Sequence, residues 1–151
     1  MSMKLVIFIA VSWLQVSTLG WAQENMYPPI VPPDELMAAR SLKNPFTTSQ
    51  EAIDQGKTLY EGRVFCAACH GKDGTGLPSD VDPTTARYPF PRDFTDPKWQ
   101  TARTDGELFW VLTEGSHGTD MASFLPMYLA EKDAWQIIMY IRTFVKFSEK
   151  L

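Results

Sequence analysis

Cys66, Cys69 and His70 are the residues whose types and spacing can do chemistry, in the run Cys66-Ala67-Ala68-Cys69-His70. Two thiols separated by two residues can reach the two vinyl groups on one edge of a porphyrin. The next residue then places an imidazole under the metal. A C-x-x-C-H run is for this reason the attachment site of a c-type haem. Cys66 and Cys69 would become thioethers and His70 the proximal iron ligand. The chain has 2 cysteines, so no thiol is left for other work. Two rival chemistries use similar spacing. A structural zinc site needs about four Cys or His ligands, usually with a second pair downstream, and the one other histidine is His117. A thioredoxin-like dithiol belongs in a βαβ context, which the flanking sequence does not carry.

An iron held by one histidine has a sixth position to fill. His117, Met121 and Met127 are the candidates. A thioether favours ferrous iron and raises the reduction potential, whereas a second imidazole gives a lower one.

The elements that must position these residues read as helices. Thr48 followed by Glu51 is a capping-box pattern and predicts a helix over residues 49–61. Ala52, Ile53, Gly56, Leu59 and Tyr60 share one face at helical spacing. Gly56 costs ~1 kcal/mol relative to alanine inside a helix, and a close crossing by another backbone would explain it. Residues 71–76 (GKDGTG) form a turn-rich loop. Pro78, Pro83, Pro89, Pro91 and Pro97 punctuate the chain beyond it, so little regular structure is expected over residues 71–99. So long a loop counts against a compact domain, unless a large apolar cofactor stands in for part of the core. Thr104 and Glu107 form a second capping box. Leu108, Phe109, Val111 and Leu112 supply that helix's apolar side, and Gly115 its stop. A last helix is expected over residues 131–148. Ala134, Ile138, Ile141 and Phe144 or Val145 form its stripe, widened by Trp135, Ile137 and Tyr140. Ala130 offers no cap, so its start is expected to fray.

With 151 residues the chain supports one domain plus tails. Residues 1–22 read as a secretory signal: Lys4 is a short basic region, residues 5–14 are apolar, and Gly20 and Ala22 set cleavage after Ala22. An uncleaved anchor is the alternative, weakened by Gln15, Ser17 and Thr18 within a stretch that needs ~20 apolar residues to span. Residues 23–47 form a proline-rich arm. Pro28, Pro29, Pro32 and Pro33 favour an extended path, and residues 34–42 can make one short helix. The arm is either a spacer or a strap lying on the domain or on a partner. The compact domain occupies residues 48–151. The formal net charge is −4 and the pI about 5.1. With no basic patch, nucleic-acid binding is not expected.

Residues 49–144 resemble the class I, monohaem cytochrome c family. That family carries a glycine and an aromatic on its first helix, then C-x-x-C-H-G, a methionine after the middle helix, and an apolar-x-x-Tyr pair on the last. Here these are Gly56 and Tyr60, Cys66 to Gly71, Met121, and Ile137 with Tyr140. The resemblance implies an all-α cytochrome c fold, three to five helices wrapped around one covalently attached haem. It implies that Gly56 and Tyr60 cross against Ile137 and Tyr140. It favours Met121 as distal ligand, although the family often has proline directly after this methionine and the chain has Ala122; Met127 follows Pro126 instead. The family bonds its proximal histidine to a proline carbonyl soon after the motif, a role that falls to Pro78. Arg92, Trp99 and Tyr88 are candidate partners for the propionates or the haem edge. Attachment outside the bacterial cytoplasm agrees with the export signal. The expectation is a periplasmic one-electron carrier, not an enzyme. It would hold one covalent haem c iron by His70 and Met121, exchange electrons with redox proteins and take no small-molecule substrate. The alternatives are a haem subunit of a larger oxidoreductase complex, and a sensor or gas-binding protein with an open sixth site.

Overall fold

In a computed structural model of the chain, residues 28–77, 82, 84–85 and 89–145 are described. The expected signal segment, its cleavage after Ala22, and the expected last turn of the final helix beyond residue 145 lie outside them. Among the described residues there are six α-helices and no strand: α1 Pro33–Ser41, α2 Gln50–Thr58, α3 Cys66–His70, α4 Pro97–Ala102, α5 Asp105–Glu114 and α6 Glu131–Ile141. No helix among them is long and apolar enough to cross a membrane.

Ser49, one residue later than expected, caps α2: its hydroxyl accepts the Ala52 N–H at 3.1 Å, whereas Thr48 makes no such bond in the cap. The helix then widens into a π turn over Leu59–Arg63. The Val64 N–H reaches back five residues to the Leu59 carbonyl at 3.3 Å. Phe65 lies in the left-handed region at φ 54°, a conformation that costs a non-glycine residue about 1–2 kcal/mol. These two irregularities turn the chain from α2 into α3.

The centre of the fold is the crossing of α2 and α6. A Cβ on Gly56 would fall onto the Gln136 carbonyl, so only glycine lets the two backbones come this close. Beside the crossing, the Tyr60 and Tyr140 rings meet edge-on at 5.3 Å. Tyr60, Ala134, Ile137 and Ile138 are fully buried. The wide apolar face of α6 is therefore covered on all sides, as its composition suggests. Asp133 accepts the Ala130 N–H at 3.3 Å, one half of a capping box; alanine has no oxygen to supply the other half, but the helix start is held.

α5 has the expected reciprocal box: the Glu107 N–H bonds the Thr104 hydroxyl at 3.2 Å and the Thr104 N–H bonds the Glu107 carboxylate at 2.9 Å. Gly115 ends it at φ 80°. α5 stacks Phe109 on Trp135 of α6 at 4.4 Å. Arg142, just past α6, ties three helix ends together. Its guanidinium donates to Asp105 at 2.7 Å, to the Gln100 carbonyl at 2.7 Å and to the Arg103 carbonyl at 2.6 Å.

The arm lies on the domain. α1 packs on α5 through a second glycine crossing, where a Cβ on Gly106 would strike the Ala39 carbonyl. Trp110 Nε1 donates to Glu35 at 2.8 Å. Arg40 approaches Glu107 to 3.6 Å, and Glu107, 2% exposed, also faces Arg103 at 3.6 Å. Two cations thus offset the burial of one carboxylate, which would otherwise cost several kcal/mol. α4 begins within residues 71–99, where little regular structure is expected from the prolines. A local signal for it is nonetheless present: Asp96 accepts the Lys98 and Trp99 N–H groups, and Pro97 occupies the first turn.

Candidate functional site

α3 consists of the C-x-x-C-H run itself. Positions i, i+3 and i+4 lie on one side of a helix, so Cys66, Cys69 and His70 share a face. Cys66 and Ala67 pack against the core cluster, while Cys69 is exposed. The two sulfurs thus straddle the edge between core and solvent. Burial pushes the Cys66 thiol up to about 12, with a backbone hydrogen bond opposing and Cys69 adding to the rise. Conversion to a thioether would abolish that titration. Among the described residues no three His, Cys, Asp or Glu side chains gather to hold a metal ion.

His70 Nδ1 lies 3.1 Å from the Arg92 carbonyl. A carbonyl can only accept, so Nδ1 carries the proton and Nε2 the lone pair. This is the tautomer a metal ligand needs. Burial also holds the imidazole below its ordinary value, with the Arg92 carbonyl pulling the other way, so the neutral form is favoured. Among the described residues it is the Arg92 carbonyl that meets Nδ1; Pro78, for which that role is expected, lies outside them. A main-chain carbonyl has no residue-type signature, and a loop can deliver one from 22 residues away.

The carbonyl arrives on a strap, residues 91–95, laced onto the loop after the motif. The Phe94 N–H bonds the Gly74 carbonyl at 2.7 Å, and the Gly76 N–H bonds the His70 carbonyl at 3.0 Å. Gly76, at φ 96°, lies so close that a Cβ would sit 2.7 Å from the Pro91 carbonyl. Tyr60 donates its hydroxyl to the Gly71 carbonyl at 2.8 Å. Phe94 lays its ring on the His70 imidazole, centroids 4.4 Å apart and planes 17° from parallel; no sequence motif signals that contact. Of the other candidates, the Arg92 guanidinium sits over the Trp99 ring at 5.8 Å, Trp99 is core, and Tyr88 lies outside the described residues.

The three distal candidates separate by burial. Met121 packs against the same core cluster as Cys66 and Ala67. Met127 is 80% exposed, and His117 is exposed at the tip of the loop after α5. That loop is held largely by its own bonds: Ser116 N–H to the Met121 carbonyl at 2.9 Å, and Met121 N–H to the Thr119 hydroxyl at 3.1 Å. Met127 instead lines an open groove of about 720 Å³ with Arg63, Phe109, Leu125 and Tyr128.

The donor set therefore fits a covalent haem: two sulfurs and an imidazole on one helix face, Nε2 left free by an acceptor on Nδ1, and an apolar core bearing a thioether beside them. The sequence profile of the Cytochrome c family matches residues 53–144. No curated protein matches the chain. Among solved structures, a chain of the Kuenenia stuttgartiensis reducing HAO-like protein complex Kustc0457/Kustc0458 is similar, with 26% identity and a TM-score of 0.56. The similarity covers 74% of this chain and 54% of that one, so this chain matches about half the length of the solved one.

Proposed function

The chain belongs to the cytochrome c family, and on that premise we propose that it is a periplasmic one-electron carrier with a single haem. Family membership implies a covalently bound haem c and electron transfer. On this reading Cys66 and Cys69 form the thioethers, and His70 and Met121 take the axial positions. The domain would then be residues 48–151, preceded by the arm at 23–47 and an export signal at 1–22.

The observation that carries this reading is the Arg92 carbonyl on His70 Nδ1, which leaves Nε2 ready for iron. The partial burial of Met121 against the core that also holds Cys66 supports its choice over Met127 and His117. When bound, the haem supplies an iron that takes up and gives back one electron. The chain's own residues do the rest. Cys66 and Cys69 keep the cofactor in place in both oxidation states. Arg92 holds the His70 proton on Nδ1. The buried core against which Cys66, Ala67 and Met121 pack would keep water from the cofactor, and low polarity together with a thioether ligand raises the potential. Two filled axial positions leave no site for a substrate, which argues for a carrier over a gas sensor. Rapid carbon monoxide binding to the reduced protein would reverse that preference.

A second reading has its own support. The similar solved chain belongs to a complex described as reducing and HAO-like, and it is nearly twice as long as the matched part. On this reading the protein is the electron-transfer subunit of a larger oxidoreductase. Gel filtration of native extract separates the two: a small monomer favours the free carrier, co-elution with a larger haem protein the subunit.

A further inference from the structure

We propose that Phe94 is a positioning residue for His70, fixing the plane in which the imidazole presents Nε2. The proposal rests on the reading of His70 as proximal ligand. A hydrogen bond to a carbonyl accepts a broad range of angles, so the Arg92 contact sets where Nδ1 lies without fixing how the ring turns about it. A flat ring against the imidazole face removes that freedom. The Phe94 ring does this at 4.4 Å and 17°.

The main chain of Phe94 is itself held on both sides. Its N–H bonds the Gly74 carbonyl at 2.7 Å. Its carbonyl accepts from Gln100 Nε2 at 2.8 Å, and the same nitrogen reaches the Ile141 carbonyl at 3.0 Å. Its ring, 7% exposed, is walled by Trp99 at 5.4 Å, Phe144 at 6.3 Å and Tyr60 at 6.5 Å. The imidazole plane is thereby tied through Phe94 and Gln100 to the end of α6. In a ferric low-spin haem the axial ligand planes set how unpaired spin spreads over the porphyrin. The spread of the haem-methyl NMR shifts therefore reads the plane directly, and a purely structural role would leave it alone.

The test compares Phe94→Leu with Phe144→Leu in the haem-loaded protein. Phe144 is buried in the same cluster, with ring contacts to Tyr60, Phe94 and Tyr140. Both variants should lose stability. Phe94→Leu should also change the haem-methyl spread several-fold more than Phe144→Leu does. An unchanged spread in Phe94→Leu, or an equal change in both variants, would overturn the proposal. If Phe94→Leu does not accumulate, Phe94→Met keeps apolar volume without the flat face and is read against the same control. A wild-type protein without covalent haem would overturn the proposed function and this proposal with it; a haem-loaded wild type with an unmoved Phe94→Leu spectrum overturns only the latter.

Discussion

The two faces of the site are built on different principles. On the His70 side, the proposed ligand sits in a helix, its Nδ1 meets a main-chain carbonyl, and an aromatic ring covers its face. On the Met121 side, a flexible thioether leaves a loop held mostly by bonds within itself. On the proposed ligation, one face would anchor the cofactor and the other would tune it. The anchor should fail all at once, the tuner by degrees.

The largest effect should come from the anchor. Replacing Cys66 and Cys69 together by alanine should abolish covalent haem, read as loss of the haem mass on the denatured chain. A variant that still carries the mass would break the comparison at its base. Next comes the tuner. Met121→Ala should keep the haem but lose the far-red sulfur-to-iron band. Its potential should fall by a sizeable part of the ~0.8 V that axial ligands span. Met127→Ala and His117→Ala should change neither, and a lost band in either one would move the ligand assignment there.

A pair of glycines sharpens the contrast. Gly115 and Gly76 both have positive φ, and a Cβ would meet the Met121 carbonyl at 2.8 Å in the first and the Pro91 carbonyl at 2.7 Å in the second. Alanine at either should cost on the order of 1–3 kcal/mol. Gly115→Ala should also speed cyanide binding to the ferric protein, because it displaces the distal loop. Gly76→Ala should lower the melting temperature without that gain, and equal cyanide rates would erase the difference between the faces. The smallest effect is a check on both. Ser49→Ala removes the α2 cap bond and should cost about 1 kcal/mol in thermal denaturation, with the absorption spectrum unmoved.

Legibility from residues alone divides along the same line. The thiol spacing, the Thr104–Glu107 box, and the crossing of Gly56 and Tyr60 with Ile137 and Tyr140 are local or periodic signals, and the structure carries all of them. The cap at Ser49 rather than Thr48 is a one-residue error between two good capping residues. The Arg92 carbonyl, the Phe94 stack and the seating of α1 on Gly106 were not legible. Each depends on where an irregular loop or a proline-rich arm returns to the domain, and neither has a period to read. Met121 stood out only through the family pattern; its burial relative to Met127 is a property of the folded loop.

On the proposed function, an iron porphyrin is bonded to this polypeptide through the two thioether sulfurs of Cys66 and Cys69. Extraction of the purified, exported protein with acidified organic solvent tests it most directly. The colour should stay with the precipitated chain, with the spectrum of a haem whose vinyl groups have been consumed. Colour passing into the solvent, or protein without any, would contradict it.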